Sequence, residues 1–344
     1  MNQQQNNKIA FWLFTVGLVL IGMIALGGVT RLTGSGLSMV QWQPIMGVLP
    51  PLNLEQWIAA FDLYKTSPEF IKINQTMALG GFKSIFWFEY LHRLLGRLIG
   101  LLFLIPMVFF FIRYPLSVTL KLKLLILFIL GGAQGLLGWY MVKSGLVGNP
   151  HVSQYRLVAH LGLALLLYAS IMWTAFSLRF SNFKQRYPLP LGYVTTLSAL
   201  CLLVFITILA GGFVAGTKAG FAFNTFPLMN GNWVPEGYLA LNPPWVNLFE
   251  NVATVQFNHR LLATLTTLVA IIVAVCALKL PLERLLKMGL YGVIISVGVQ
   301  YTLGLLTLLW HVPIPIAALH QIGAVLLLTV CLFVTQLALS RNVR

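Results

Sequence analysis

Acidic side chains are nearly missing: seven Asp and Glu stand among 344 residues, and all charged residues together make up 8%. Soluble domains carry about 25% charge. This chain therefore has too little charge to cover a water-facing surface, and its 58% hydrophobic content and mean hydropathy of +0.87 mark an integral membrane protein. Cysteine is scarce as well. Cys201, Cys276 and Cys331 all fall inside apolar runs, which leaves no loop pair for a disulfide framework and no Cys-x-x-Cys redox motif; their reading is helix packing.

Long apolar runs are what the chain does have. Crossing about 30 Å of hydrocarbon takes roughly 20 residues, and eight runs reach that length, near 10–29, 86–111, 124–142, 157–177, 191–213, 255–277, 288–310 and 317–338. The first is too long for a signal-peptide core and is followed by no small-residue cleavage site, so it counts as a helix. The second exceeds one crossing, so it is expected to tilt or to start above the membrane. The net charge of +15 could suggest nucleic acid, but the placement of the charges excludes it. Twelve basic residues fall on the side of the N-terminus, from Lys8 through Arg113, Lys121, Lys123, Arg179, Lys184, Arg186, Lys279, Arg284 and Lys287 to Arg341 and Arg344. Seven fall opposite: Arg31, Lys65, Lys72, Lys83, Lys143, Arg156 and Lys218. By the positive-inside rule both termini are cytoplasmic, here in a bacterial inner membrane.

Repetition organises the runs. "FEYLHRLLGRLIGLL" (88–102) resembles "VQFNHRLLATLTTLV" (255–269), "GGVTRLTGSGL" (27–37) aligns with "GGFVAGTKAGF" (211–221), and "GGAQGLLGWYMV" (131–142) with "VGVQYTLGLLTL" (297–308). The expected fold is all-α: two pseudo-symmetric four-helix bundles, residues 1–187 and 188–344, related as a parallel repeat about an axis along the membrane normal. The long outer loops, 30–84 and 214–253, are expected to pack as a lid. In the first, Leu54, Trp57, Ile58, Phe61 and Tyr64 follow helical spacing behind a cap at Asn53, and a second helix starts at Ser67 with Pro68 in its first turn.

His92, His160, His259 and His320 each lie near the outer end of spans two, four, six and eight. One histidine per even helix in a duplicated frame points to ligands. Zinc prefers four tetrahedral donors and a di-iron bundle needs several Glu, whereas Glu89 is the one acid within the spans. Haem needs only two axial positions filled and tolerates apolar walls. The pattern thus yields one haem per half, held by His92 with His160 and by His259 with His320. Arg93 and Arg260, each directly after a ligand, can pair with haem carboxylates. His151 and His311 fall in outer loops and read as ordinary surface residues.

Shifting by 167 residues places Arg93 on Arg260, Glu89 on Gln256 and Arg97 on Thr264. Only the first half keeps an ionisable Glu and a second Arg. Three residues separate Glu89 from His92, so they share a helix face. A carboxyl there can move protons or stabilise developing positive charge, which makes the first half the reaction site and the second a permanent cofactor site.

At these residues the sequence resembles the haem A synthase family. "FKSIFWFEYLHRLLGR" (82–97) is similar to that family's Glu-x-x-His-Arg segment, "FENVATVQFNHR" (249–260) to its counterpart, and "GGVTRLTGSGLSMVQW" (27–42) and "GGFVAGTKAGFAFNTFP" (211–227) to its paired turns. The resemblance implies an eight-helix oxidoreductase that converts the C8 methyl of haem O to a formyl group through hydroxylated intermediates, supplying cytochrome c oxidase. On matching positions it implies Glu89 as the essential acid, His92 and His160 holding haem O, and His259 and His320 ligating haem B, with Arg93, Arg97 and Arg260 as cofactor-binding candidates. Residues 30–84 lack the cysteine pair that part of the family carries there, which excludes a thiol relay in that loop. Membrane lipid, an electron donor, a haem O synthase delivering substrate and a homo-oligomer are the partners left open. Two other classes fit the histidines: a di-haem b-type cytochrome linked to quinol, and a transporter on parallel repeats.

Overall fold

The computed structural model describes residues 2–41, 46–146, 150–185 and 189–340. Trp42, at the end of the first family-like turn, and Arg186, Arg341 and Arg344 from the charge count lie outside the described residues. Eight long helices are present where eight apolar runs were expected: α1 (Gln3–Leu32), α4 (Leu79–Arg113), α5 (Val118–Gly145), α6 (Gln154–Arg179), α7 (Leu191–Gly216), α9 (Val252–Leu278), α10 (Arg284–Leu309) and α11 (Ile314–Leu339). Shorter helices α2 (Leu54–Lys65), α3 (Pro68–Lys72) and α8 (Asn247–Glu250) sit in the two long loops. All eight long helices are apolar enough to cross a membrane, and the protein is a multi-pass membrane protein.

Helix neighbours close two rings. In the first, α1 packs on α4, α4 on α5, α5 on α6 and α6 on α1; in the second, α7, α9, α10 and α11 follow the same order. The rings meet where α1 touches α11, α6 touches α7, and α6 and α11 touch each other. Leu165, Tyr168, Leu197, Leu290, Val325 and Leu328 belong to one cluster that spans this junction and the second ring, and Trp12, Leu13, Phe103, Met107, Leu124 and Ile171 fill the first ring. Because successive helices alternate in direction, both long loops and the starts of α4, α6, α9 and α11 lie at one end.

In an apolar setting each backbone group must find a partner within the protein. Pro106 interrupts α4, and a proline removes the donor that would have served the carbonyl four residues earlier. That carbonyl belongs to Leu102, and the indole N–H of Trp12 on α1 donates to it at 2.9 Å. The end of α7 is met in a similar way from the other ring. The Arg31 guanidinium donates to the carbonyls of Gly216 at 3.1 Å and Ala215 at 3.5 Å, where a helix C-terminus leaves acceptors unpaired and favours a cation.

At the loop-bearing end, Asn53 accepts from Gln56 N at 2.9 Å and Ser67 from Phe70 N at 3.2 Å, the two caps expected from sequence. The buried face of α2 is narrower than its spacing suggested. Trp57, Phe61 and Tyr64 pack on Phe82, Phe86 and Tyr90 of α4, while Leu54 and Ile58 stay exposed. The contact engages the first turns of α4, the longest helix among the described residues.

Glu69 is buried beneath this layer, accepting from Tyr64 Oη at 3.1 Å, and Asn74 Nδ2 donates to the same Tyr64 oxygen at 2.8 Å. Burial, above all, pushes its carboxyl up to about 7 from 4.5; nearby Glu89 adds to the rise, and the Tyr64 hydrogen bond and Arg31 oppose it. Between those two values the folded loop therefore holds a proton that the unfolded loop releases, and its stability falls as pH rises through that window. Hydrogen exchange of α2 and α3 should accordingly speed up between pH 5 and pH 8 beyond the intrinsic chemical increase, and Glu69→Gln should abolish that excess. Trp12→Phe should lower stability by about 1–3 kcal/mol, the cost of an orphaned buried acceptor, read as a lower melting temperature in detergent.

Candidate functional site

Each of the four histidines is seated on a glycine of the helix before it. A Cβ placed on Gly27 of α1 would stand 3.0 Å from Cε1 of His92, one on Gly138 of α5 3.0 Å from that of His160, one on Gly211 of α7 3.0 Å from that of His259, and one on Gly304 of α10 2.9 Å from that of His320. Any larger side chain at these glycines would push the ring away. The contact recurs once per helix pair. His92 also lies within electrostatic reach of His160, and His259 of His320.

All four histidines are half-buried as residues. The Nδ1 atoms of His92, His160 and His259 are buried without a hydrogen-bond partner. Two glutamines steady the helices beneath the rings. Gln134 Nε2 donates to the backbone carbonyl of His160 at 2.9 Å and lies 3.3 Å from its Nε2; Gln300 Nε2 donates to the carbonyl of His320 at 3.0 Å and lies 3.0 Å from its Nδ1. Among the described residues no three His, Cys, Asp or Glu side chains gather in one place.

Glu89 answers the question posed by a buried acid. It is 3% exposed, and its Oε1 accepts from Arg93 at 2.5 Å. Its Oε2 accepts from Ser38 Oγ at 2.7 Å and from the backbone N–H of Met39 at 2.8 Å. Arg93 donates onward to the carbonyls of Met39 at 2.9 Å and Gln41 at 3.2 Å. Acid and base together thus fasten the turn after α1 onto α4.

The second ring repeats the fastening without charge on the acid side. Gln256 Nε2 donates to the carbonyls of Ala219 at 2.9 Å and Ala222 at 2.5 Å, while its Oε1 accepts from Arg260 at 3.3 Å. Arg260 donates to Thr225 O at 2.8 Å and to Phe223 O. Arg97 lies one turn below Arg93 on α4, and Thr264, at the matching place, reaches Tyr301 Oη at 3.3 Å. His151 and His311 are exposed.

A family model described as cytochrome oxidase assembly protein matches residues 10–332. The chain belongs to the haem A synthase family. It is 48% identical to heme A synthase of Nitrosospira multiformis across 95% of this chain and 92% of that protein. The corresponding enzyme of Nitrosomonas eutropha is 45% identical across 97% and 94%, and that of Granulibacter bethesdensis 47% across 95% and 86%.

Within this haem A synthase family member, the four glycines and the two glutamines went unnoticed in sequence. The signal was available: Gly27 aligns with Gly211, Gln134 with Gln300 and Gly138 with Gly304 in the repeated segments. Among 30 glycines only the pairing with a histidine across the helix contact distinguishes them.

The two fastenings should fail unequally. Arg93→Ala strands a buried carboxylate, at about 3–5 kcal/mol, whereas Arg260→Ala strands only neutral groups, at about 1–3 kcal/mol. Melting in detergent should therefore fall further for Arg93→Ala, and adding Glu89→Gln to it should recover part of the loss.

Proposed function

We propose that this chain is a haem A synthase, an oxidoreductase that oxidises the C8 methyl of haem O to a formyl group through hydroxylated intermediates. The observation that carries the reading is the twofold occurrence of a glycine-seated histidine pair, with an ion-paired carboxylate beside one pair and an amide beside the other. Membership of the family and the names of its relatives supply the reaction.

The residues fit haem. Two half-buried histidines per helix ring, three with an unpartnered buried Nδ1, match the need for two axial donors and no third. The glycines let the rings stand back against the neighbouring helix. In this reading His92 and His160 hold substrate haem O, and His259 and His320 hold haem B, which supplies one-electron redox capacity when bound. The chain divides into halves 1–187 and 188–344, related by an axis along the membrane normal; the matching order of helix neighbours supports this.

Glu89 carries the chemistry that the second half lacks. Of its two expected roles, stabilising positive charge that develops at the substrate methyl agrees better with its surroundings than carrying a proton. Three donors hold both oxygens in place, and a preorganised charge acts without rearrangement at the moment of reaction. Moving a proton through it would first require Arg93 to let go. Arg93 and Arg260 keep the turns closed over the sites, at positions from which they can also face haem carboxylates, and Arg97 adds a positive charge on the substrate side only. The basic residues flanking the helices support cytoplasmic termini and sites toward the outer face.

Glu89→Gln, produced in cells making haem O and with its pigments separated by chromatography, should retain haem B and accumulate haem O at the expense of hydroxylated and formyl products. Conversion at the normal rate would remove Glu89 from the reaction.

A further inference from the structure

Where the two rings meet, each carries one side chain across to the other beside a histidine. On α11 the residue after His320 is Gln321. Its Nε2 donates to the backbone carbonyl of Ile24 on α1 at 3.0 Å, and its amide lies so close to Gly28 that a Cβ there would overlap it. Gly28 follows Gly27, the seat of His92. A continuous chain of contact therefore runs from His320 through Gln321 to Gly28 and Gly27, and on to the ring of His92.

The matching crossing has a different character. The residue after His160 is Leu161, whose Cδ2 would stand 3.1 Å from a Cβ on Gly212, and Gly212 follows Gly211, the seat of His259. Leu161 fills space there and directs nothing. Gln321, by contrast, is fixed in direction, because it bonds to the carbonyl that α1 already offers its own Gly28. One crossing is a cushion, the other a latch.

We propose that Gln321 is a positioning residue for the opposite half: it sets the placement of the Gly27–Gly28 segment and so of His92, making occupancy of the His259/His320 site felt at the His92/His160 site. This rests on the reading of both pairs as haem sites. Helix surfaces in contact transmit displacement because close-packed side chains have little room to absorb it. Where the end residues are ligands, that displacement becomes a change of affinity, and the effect must be reciprocal. Three residues do the work, Gln321, Gly28 and Gly27, between the two histidines at the ends of the path.

The test uses the full-length protein, made without haem and titrated with haem B in detergent. Affinity at the first-half site is measured with the second site intact and with it disabled by His259→Ala, a ligand outside the contact path. With Gln321 in place, filling the second site should change first-site affinity by at least about fivefold; in Gln321→Leu the factor should fall to about one. The low-spin resonance lost in His92→Ala identifies the first-half haem, and its g-values should shift in Gln321→Leu. Gly28→Ala should disturb both sites, and Gly28→Ala combined with Gln321→Ala should restore haem binding to within about twofold, which also guards against a variant that merely misfolds. An unchanged coupling factor with unshifted g-values, or no rescue in the double variant, overturns the proposal while leaving haem binding intact. A protein that bound no haem in any form would overturn the functional reading and this proposal with it.

Discussion

A histidine can stand between two helices of this protein only where the facing helix carries no side chain. The four glycine seats meet that constraint, and much else follows from it. Interaxial distance is set by the side chains at the contact, so each glycine fixes how near its helix comes and where the imidazole beside it rests. The glutamines under His160 and His320 then hold the helix turn that carries each ring. Since every seat lies near the loop-bearing end, the remaining length of each helix is free to pack with ordinary Leu, Val and Phe, which is where the continuous apolar cores are found.

The second governing feature is the difference between two nearly identical fastenings. Glu89 and Gln256 have the same shape, the same arginine four residues on and the same task of holding a turn by its backbone. Only the first brings a negative charge, and a buried charge is tolerable when its partners saturate it. Ser38, Met39 and Arg93 do so completely. The carboxylate is thus anchored firmly enough to fasten a turn, on the same helix and three residues before His92.

Much of this was legible in the sequence because the controlling patterns are local or periodic. The eight runs, the caps at Asn53 and Ser67, the histidine on each even helix and the Glu89/Gln256 contrast all depend on spacings within one helix or on a repeated frame. The partners of Glu89 were not legible, since Ser38 and Met39 are about fifty residues away and come from a turn with no fixed period. Trp12 likewise gave no hint of Leu102, because a proline marks the missing donor and says nothing about which helix supplies another. The burial of Glu69 was not legible either, because the aromatic layer near it forms only when α2 lies down on α4. Leu54 and Ile58 were grouped with that layer because helical spacing alone cannot tell how wide a contact face will be.

Arg31 has one more implication. In the repeated segments it occupies the place that Ala215 holds in the second half, and Arg31 donates to the carbonyl of Ala215 itself. Matching positions of the repeated segments therefore meet each other where the rings join. The contact is one-sided: the cation comes from one segment and the carbonyls from the other. A guanidinium on both would put two like charges at one helix end, and exchanging the two segments would leave that end without its cation.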